Sequence, residues 1–199
     1  MPCHPGPRPP TPVHEATDTR EFVHRIDAED RICSVNESWL AFATENGWDI
    51  SADQVLGTRL MASISDAETR HIYRLLIDRA RAGTQPVRFR YRCDSPELRR
   101  FMEMALTRAP GNQVEFRSRV LRLERREPVA VLDPAVVKRG GDPLQICSWC
   151  KAVYAQAAWL KLEEAIQTLD VLAETVLPGL SHGICPSCSE RMTRLGGAQ

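Results

Sequence analysis

No stretch of this 199-residue chain is apolar for long enough to cross a bilayer. The chain opens Met-Pro-Cys-His-Pro with no apolar leader, so a reducing, cytoplasmic setting is expected. Net charge is missing too. The 26 Lys and Arg balance the 26 Asp and Glu, which removes any global electrostatic reason to expect a nucleic acid or a membrane surface as partner. Lysine is scarce: the first is Lys138, and arginine carries nearly all the positive charge. Familiar catalytic signatures are absent as well. There is no Gly-rich nucleotide loop, no phosphoacceptor-histidine helix pair, no Asp-rich receiver pocket, no Gly-x-Ser-x-Gly and no His-Glu-x-x-His. No enzyme is expected.

Cysteine is what the chain does have, and it comes in pairs. Ile146-Cys147-Ser148-Trp149-Cys150-Lys151 is answered, one helix-length segment later, by Ser181-His182-Gly183-Ile184-Cys185-Pro186-Ser187-Cys188. A Cys-x-x-Cys knuckle bends the backbone so that both sulfurs face one point, and two knuckles offer four thiolates to one tetrahedral ion. Soft sulfur ligands favour zinc. The expected ligands are Cys147, Cys150, Cys185 and Cys188. Such a site is closed and structural, which argues against zinc hydrolase chemistry. Two disulfides and a thioredoxin-like redox pair are the competing readings. The missing leader disfavours the first, and the absence of a strand-helix-strand context disfavours the second. His182 is a fifth candidate, either replacing one cysteine or hydrogen-bonding a ligand sulfur. Cys3, His4 and His14 fall in a proline-dense stretch and read as incidental residues of a tail over residues 1–19.

A hydrophobic content of 43% leaves enough apolar side chains for a core. Phe22–Ile26 and Arg31–Val35 read as two strands across an Asp-rich turn. Asn36 suits a helix N-cap, and Asn46-Gly47 a stop. Ser65-Asp66-Ala67-Glu68 has the form of a capping box ahead of a helix whose apolar face is Ile72, Leu75, Leu76 and Ala80. Three strands follow: Val87, Phe89 and Tyr91 alternate with Arg88, Arg90 and Arg92, then Met102, Met104 and Leu106, then Val114, Phe116 and Val120. The phase shift to Leu121 and Leu123 suggests a bulge or strand end. Residues 128–143 read as a linker, with a helical turn at Ala135-Val136-Val137. Trp159, Leu162, Ile166, Leu169, Ala173 and Val176 recur at helical spacing, so an amphipathic helix is expected between the knuckles. Its stripe packs on the knuckles or, in the alternative, forms a dimer seam.

This order, together with Ile32-Cys33-Ser34-Val35-Asn36-Glu37-Ser38-Trp39, Val55-Leu56-Gly57 and Arg92-Cys93-Asp94-Ser95-Pro96, resembles a PAS domain over residues 20–127. The paired cysteines over residues 144–195 resemble a small module attached to bacterial two-component and other signalling proteins. The resemblance implies an α+β fold: an antiparallel five-stranded sheet with flanking helices, plus a small, mostly helical zinc-binding module. Flavin photosensors of the PAS fold carry a cysteine on a central helix, and Ser51 to Gly83 contains none. Haem sensors use a histidine on the long helix, which makes His71 the haem candidate, against the plain reading of a surface histidine beside Arg70 and Arg74. Cys93 reads as a small buried hydrophobe. The implied function is signal sensing and protein interaction without catalysis, as a homodimer or with another PAS or signalling protein. The alternative is a transcriptional regulator whose zinc module reads nucleic acid. The acidic residues Glu163, Glu164, Asp170, Glu174 and Glu190 disfavour it.

Overall fold

The computed structural model describes residues 18–133, 140–168 and 177–197. The tail with Cys3, His4 and His14, the turn expected at Ala135-Val136-Val137, and Leu169, Ala173 and Val176 lie outside the described residues.

Strands β1 (Glu21–Ile26) and β2 (Ile32–Val35) form the expected hairpin. Asn36 caps α1 (Glu37–Glu45), its Oδ1 accepting from Trp39 N at 2.9 Å. The short α2 (Ala52–Val55) leads to the long helix α3 (Ala67–Ala82). That helix starts one residue later than the capping box implies: Asp66 accepts from Thr69 N at 2.7 Å. Glu68, freed from capping, accepts from Ser189 instead. Strands β3 (Val87–Arg92), β4 (Leu98–Ala109) and β5 (Gln113–Arg125) complete an antiparallel sheet of order β2-β1-β5-β4-β3. The five-stranded sheet with flanking helices implied by the PAS resemblance is therefore present. So is the bulge. Phe101 pairs with Arg122 and Met102 with Val120, which leaves Leu121 unmatched and 39% exposed.

The sheet's inner face meets α3. Leu106, Val114 and Phe116 share one cluster with Ile72, Leu76 and Ile77, and none is more than 1% exposed. Each such side chain contributes about 1.5–3 kcal/mol by leaving water. Tyr91 joins this layer and keeps its hydroxyl bonded to Ser118 Oγ at 3.1 Å.

The cysteine-bearing segment departs from the mostly helical expectation. Its described residues form four short strands, β6 (Leu144–Cys147), β7 (Val153–Ala155), β8 (Ala158–Leu160) and β9 (Leu180–Gly183), in the order β8-β7-β6-β9. Two helices accompany them, α4 (Leu162–Thr168) and α5 (Pro186–Gly197). Leu162 and Ile166 do lie on a helix, but Trp159 lies on β8. The cause is a tight turn at Gln156 and Ala157, both left-handed at φ 49° and 62°. Neither residue type signals a turn. Cross-strand packing of Tyr154 on Trp159, with ring centroids 5.6 Å apart, helps hold the hairpin. Val129 and Val131, from the stretch read as linker, are buried beside Ile146, Val153, Leu162 and Ile166.

This segment packs directly on α3. Gly196 of α5 lies so close that a Cβ there would sit 2.7 Å from Leu75 Cβ, so the missing side chain permits the contact. Arg79 Nη1 donates to Leu195 O at 2.6 Å. Trp149 is 2% exposed and lies over Tyr73, with centroids 5.5 Å apart. One hydrophobic cluster consequently runs from Phe116 and Leu76 to Cys147, Trp149, Cys188 and Met192. Among the described residues no helix is long and apolar enough to cross a membrane.

Two predictions follow from this packing. His24 stacks on Phe116 at 4.6 Å, its Nε2 is buried with no hydrogen-bond partner, and burial lowers its pKa to about 4. The unfolded chain, with an imidazole pKa of about 6.5, binds that proton first, so stability is full above pH ~6.5 and falls as pH drops toward ~4. At pH ~5 the loss from this residue is on the order of 2 kcal/mol. Urea midpoints should therefore separate between neutral and mildly acidic buffer in the native chain, and separate less in His24→Phe. At the hairpin, Ala157→Gly removes a left-handed alanine and should raise stability by about 0.5–1 kcal/mol in the same assay.

Candidate metal centre

Parallel pairing brings the two knuckles together. β6 and β9 run side by side with Cys147 opposite Gly183, so the chain leaves both strands at the same end. The first knuckle closes when Lys151 N donates to Cys147 O at 3.0 Å and Cys147 N to Ala152 O at 2.7 Å. Lys151 takes the left-handed conformation, φ 63°, that this turn requires. Ser148 N then donates to Gly183 O at 2.8 Å, which ties the first knuckle to the second. Beyond Gly183 the chain enters α5, with Pro186 at its first position and Cys185 O accepting from Ser189 N at 2.9 Å.

The four sulfurs of Cys147, Cys150, Cys185 and Cys188 all lie within 4.8 Å of one another. Cys150 and Cys185 are 3.7 Å apart, far beyond the ~2.05 Å of a disulfide. Metal–sulfur bonds of about 2.3 Å around a tetrahedral ion place sulfurs about 3.8 Å apart, so the spacing fits a four-thiolate site. Cys147, Cys185 and Cys188 are buried and Cys150 is half-buried. No fifth histidine, cysteine or carboxylate among the described residues joins the group.

The protonation pattern favours a cation. Thiol donation from Cys150 and Cys188 holds the Cys147 sulfur far below the ordinary thiol range, with the Cys150 and Cys185 amides adding to it. In return Cys150 is pushed up to about 11 and Cys188 higher still, because each keeps the proton it shares with Cys147. Without a metal the cluster holds one thiolate readily and opposes a second. A divalent ion removes that opposition and lets all four ionise. Two groups already point at the sulfurs: Cys185 N lies 3.4 Å from Cys147 Sγ, and Arg191 Nη2 lies 3.6 Å from Cys188 Sγ. Arg191 was not singled out from the sequence, although its position three residues after Cys188 on one helix face was a usable signal.

The other candidates lie elsewhere. His182 is exposed on β9 and outside the sulfur group. His71 is exposed on α3, whereas the face turned to the sheet carries Ile72 and Leu76. Cys93 follows β3, and burial pushes its thiol up. Cys33 is exposed.

If the four cysteines hold an ion, Cys185→Ser should release it and lower the thermal midpoint of the whole chain, since Cys185 belongs to the shared cluster. His182→Ala should retain the metal in full. Arg191→Ala should weaken affinity by about tenfold through the loss of its contact to sulfur. Metal content by emission spectroscopy and competition with a chromophoric chelator measure all three.

No protein-family description matches the sequence, and no curated protein matches it. Similar solved structures include the PAS domain of BvgS from Bordetella pertussis, at 17% identity over 51% of this chain and 72% of that one, TM-score 0.35. A domain of an HTR-like protein from Haloarcula marismortui is 18% identical over 51% of this chain and 97% of its own, TM-score 0.33. The PAS domain of an HTR-like protein from the same organism is 20% identical over 53% of this chain and 90% of its own, TM-score 0.35.

Proposed function

We propose that the chain is a non-enzymatic signal-sensing and protein-interaction protein of bacterial, cytoplasmic signal transduction. Its PAS-like unit receives the input, and one structural zinc ion, held by Cys147, Cys150, Cys185 and Cys188, fixes an interaction module to the long helix. The observation that carries this reading is the unbroken hydrophobic cluster from Leu76 on α3 to Cys188 and Met192. A displacement of α3 caused by a ligand or partner would have to move the cysteine module with it, because well-packed interiors shift as units. Four sulfur ligands leave a tetrahedral ion no open position, so the metal supplies folding energy rather than a reacting water. Such a protein acts by contact, with a second copy or with another PAS or signalling protein.

Reading of nucleic acid by the module is disfavoured by its charge. Arg194 is paired with Glu190 at 2.6 Å, and α4 opens on Glu163 and Glu164. A phosphate-binding surface presents unpaired basic groups instead.

Purified chain should contain one zinc per protomer and sediment as a concentration-dependent dimer at micromolar levels. It should pass a low-salt duplex DNA column without retention. A strictly monomeric species that is retained on DNA would favour the regulator reading and overturn this one.

A further inference from the structure

Strand β3 is an edge of the five-stranded sheet, pairing among the described residues only with β4. Its backbone directions can be read from two bonds. Cys93 N donates inward to Arg100 O at 3.0 Å, while Arg92 N donates outward to Trp149 O at 2.7 Å. Alternation along the strand then turns the N–H and C=O groups of Arg88 and Arg90 outward, away from β4. The first knuckle already occupies one position of this edge through Trp149. Among the described residues nothing bonds the next positions. An open edge of this kind is a template for one more strand.

Beside the edge, between β3 and α5, runs a groove of about 570 Å³. Phe89, Met192 and Leu195 form its apolar floor, and Arg79, Arg191 and Arg194 reach its rim from the helices. Arg88 and Arg90 stand on the outer face of the sheet. Five arginines thus line the groove with one acid, Glu103, which is 3.6 Å from Arg88, while Arg194 is paired at 2.6 Å with Glu190 outside the lining. Arg90 is exposed and makes no ion pair among the described residues.

We infer that this edge binds an extended acidic segment of a partner protein, added to the sheet as a strand next to β3. The chemistry names the segment's pattern. Successive side chains of an added strand point to opposite faces. One set would meet Arg88 and Arg90 and should be acidic; the other would meet Phe89 and Leu195 and should be apolar. Outward backbone donors and acceptors match a peptide main chain, which a nucleic acid does not supply. The inference rests on the reading of the chain as a protein-interaction protein and specifies the partner's contact.

The test is fluorescence anisotropy of a labelled short peptide alternating glutamate with valine, titrated with the full-length chain. Binding should be saturable, and Arg88→Glu combined with Arg90→Glu should weaken it by about tenfold or more. Two further peptides carry N-methyl groups on alternate residues, in one phase or the other. One phase removes the amides facing β3 and should abolish binding, while the other should leave it intact. That comparison uses the native chain, so it holds even if the double variant folds poorly. The proposal is overturned if the peptide does not bind, if the two methylation phases behave alike, or if a single-stranded oligonucleotide of equal charge binds as tightly. A chain that still self-associates on sedimentation yet ignores the peptide would refute the groove and spare the broader reading.

Discussion

The parallel pairing of β6 with β9 is the constraint on which the C-terminal half depends. Each strand is only four residues long, and a parallel pair requires a crossover connection between them. Strands so short hold register poorly by hydrogen bonds alone. The four cysteines remedy this at the end where both strands stop. An ion bound there would fasten two points that lie 38 residues apart in the chain, Cys147 and Cys185. The left-handed Lys151 and the bond from Ser148 to Gly183 belong to the same closure.

Docking of this half onto the sheet uses both apolar and ionic contacts. The apolar part is the seating of Trp149 and Met192 against α3. The ionic part lies on the other side, where Arg126 at the end of β5 has a side chain only 5% exposed and lies 3.1 Å from both Asp94 and Glu163. The Asp94 side chain is wholly covered and also takes Arg92. Arg126 further donates to the carbonyls of Ser95 and Pro96 at 2.7 and 3.0 Å. Removing one member of such a buried set typically costs about 3–5 kcal/mol, because the remaining charges lose their partners. The network gives the contact a defined orientation, since a guanidinium meets carboxylates in a fixed plane. It joins the β3–β4 loop, the end of β5 and α4 at one point.

Much of the sheet was legible in the sequence because its strands obey a period of two and its helices are capped by Asn36 and Asp66. The bulge was legible too, since Leu121 breaks the alternation of Val114, Phe116 and Val120. The cysteine cluster was the clearest signal of all, because two Cys-x-x-Cys pairs at this spacing can bring four sulfurs to one point. The hairpin of β7 and β8 was not legible. Ala-Gln-Ala-Ala carries helix propensity and no turn residue, and only packing of Tyr154 on Trp159 and of Val153 into the cluster overrides it.

The sequence by itself determined the order of strands and helices from β1 to β5, the capped start of α3 to within one residue, and the four sulfurs. These features are written in local spacing. Tertiary structure alone decided that His182 stands outside the sulfur group, since β9 turns that side chain away from the four sulfurs. It also decided that Val129 and Val131 of the presumed linker are buried, and that the knuckle of Trp149 pairs with the edge of β3. Contacts between residues so far apart in the chain leave no periodic trace, because each depends on where two separately folded surfaces come to meet.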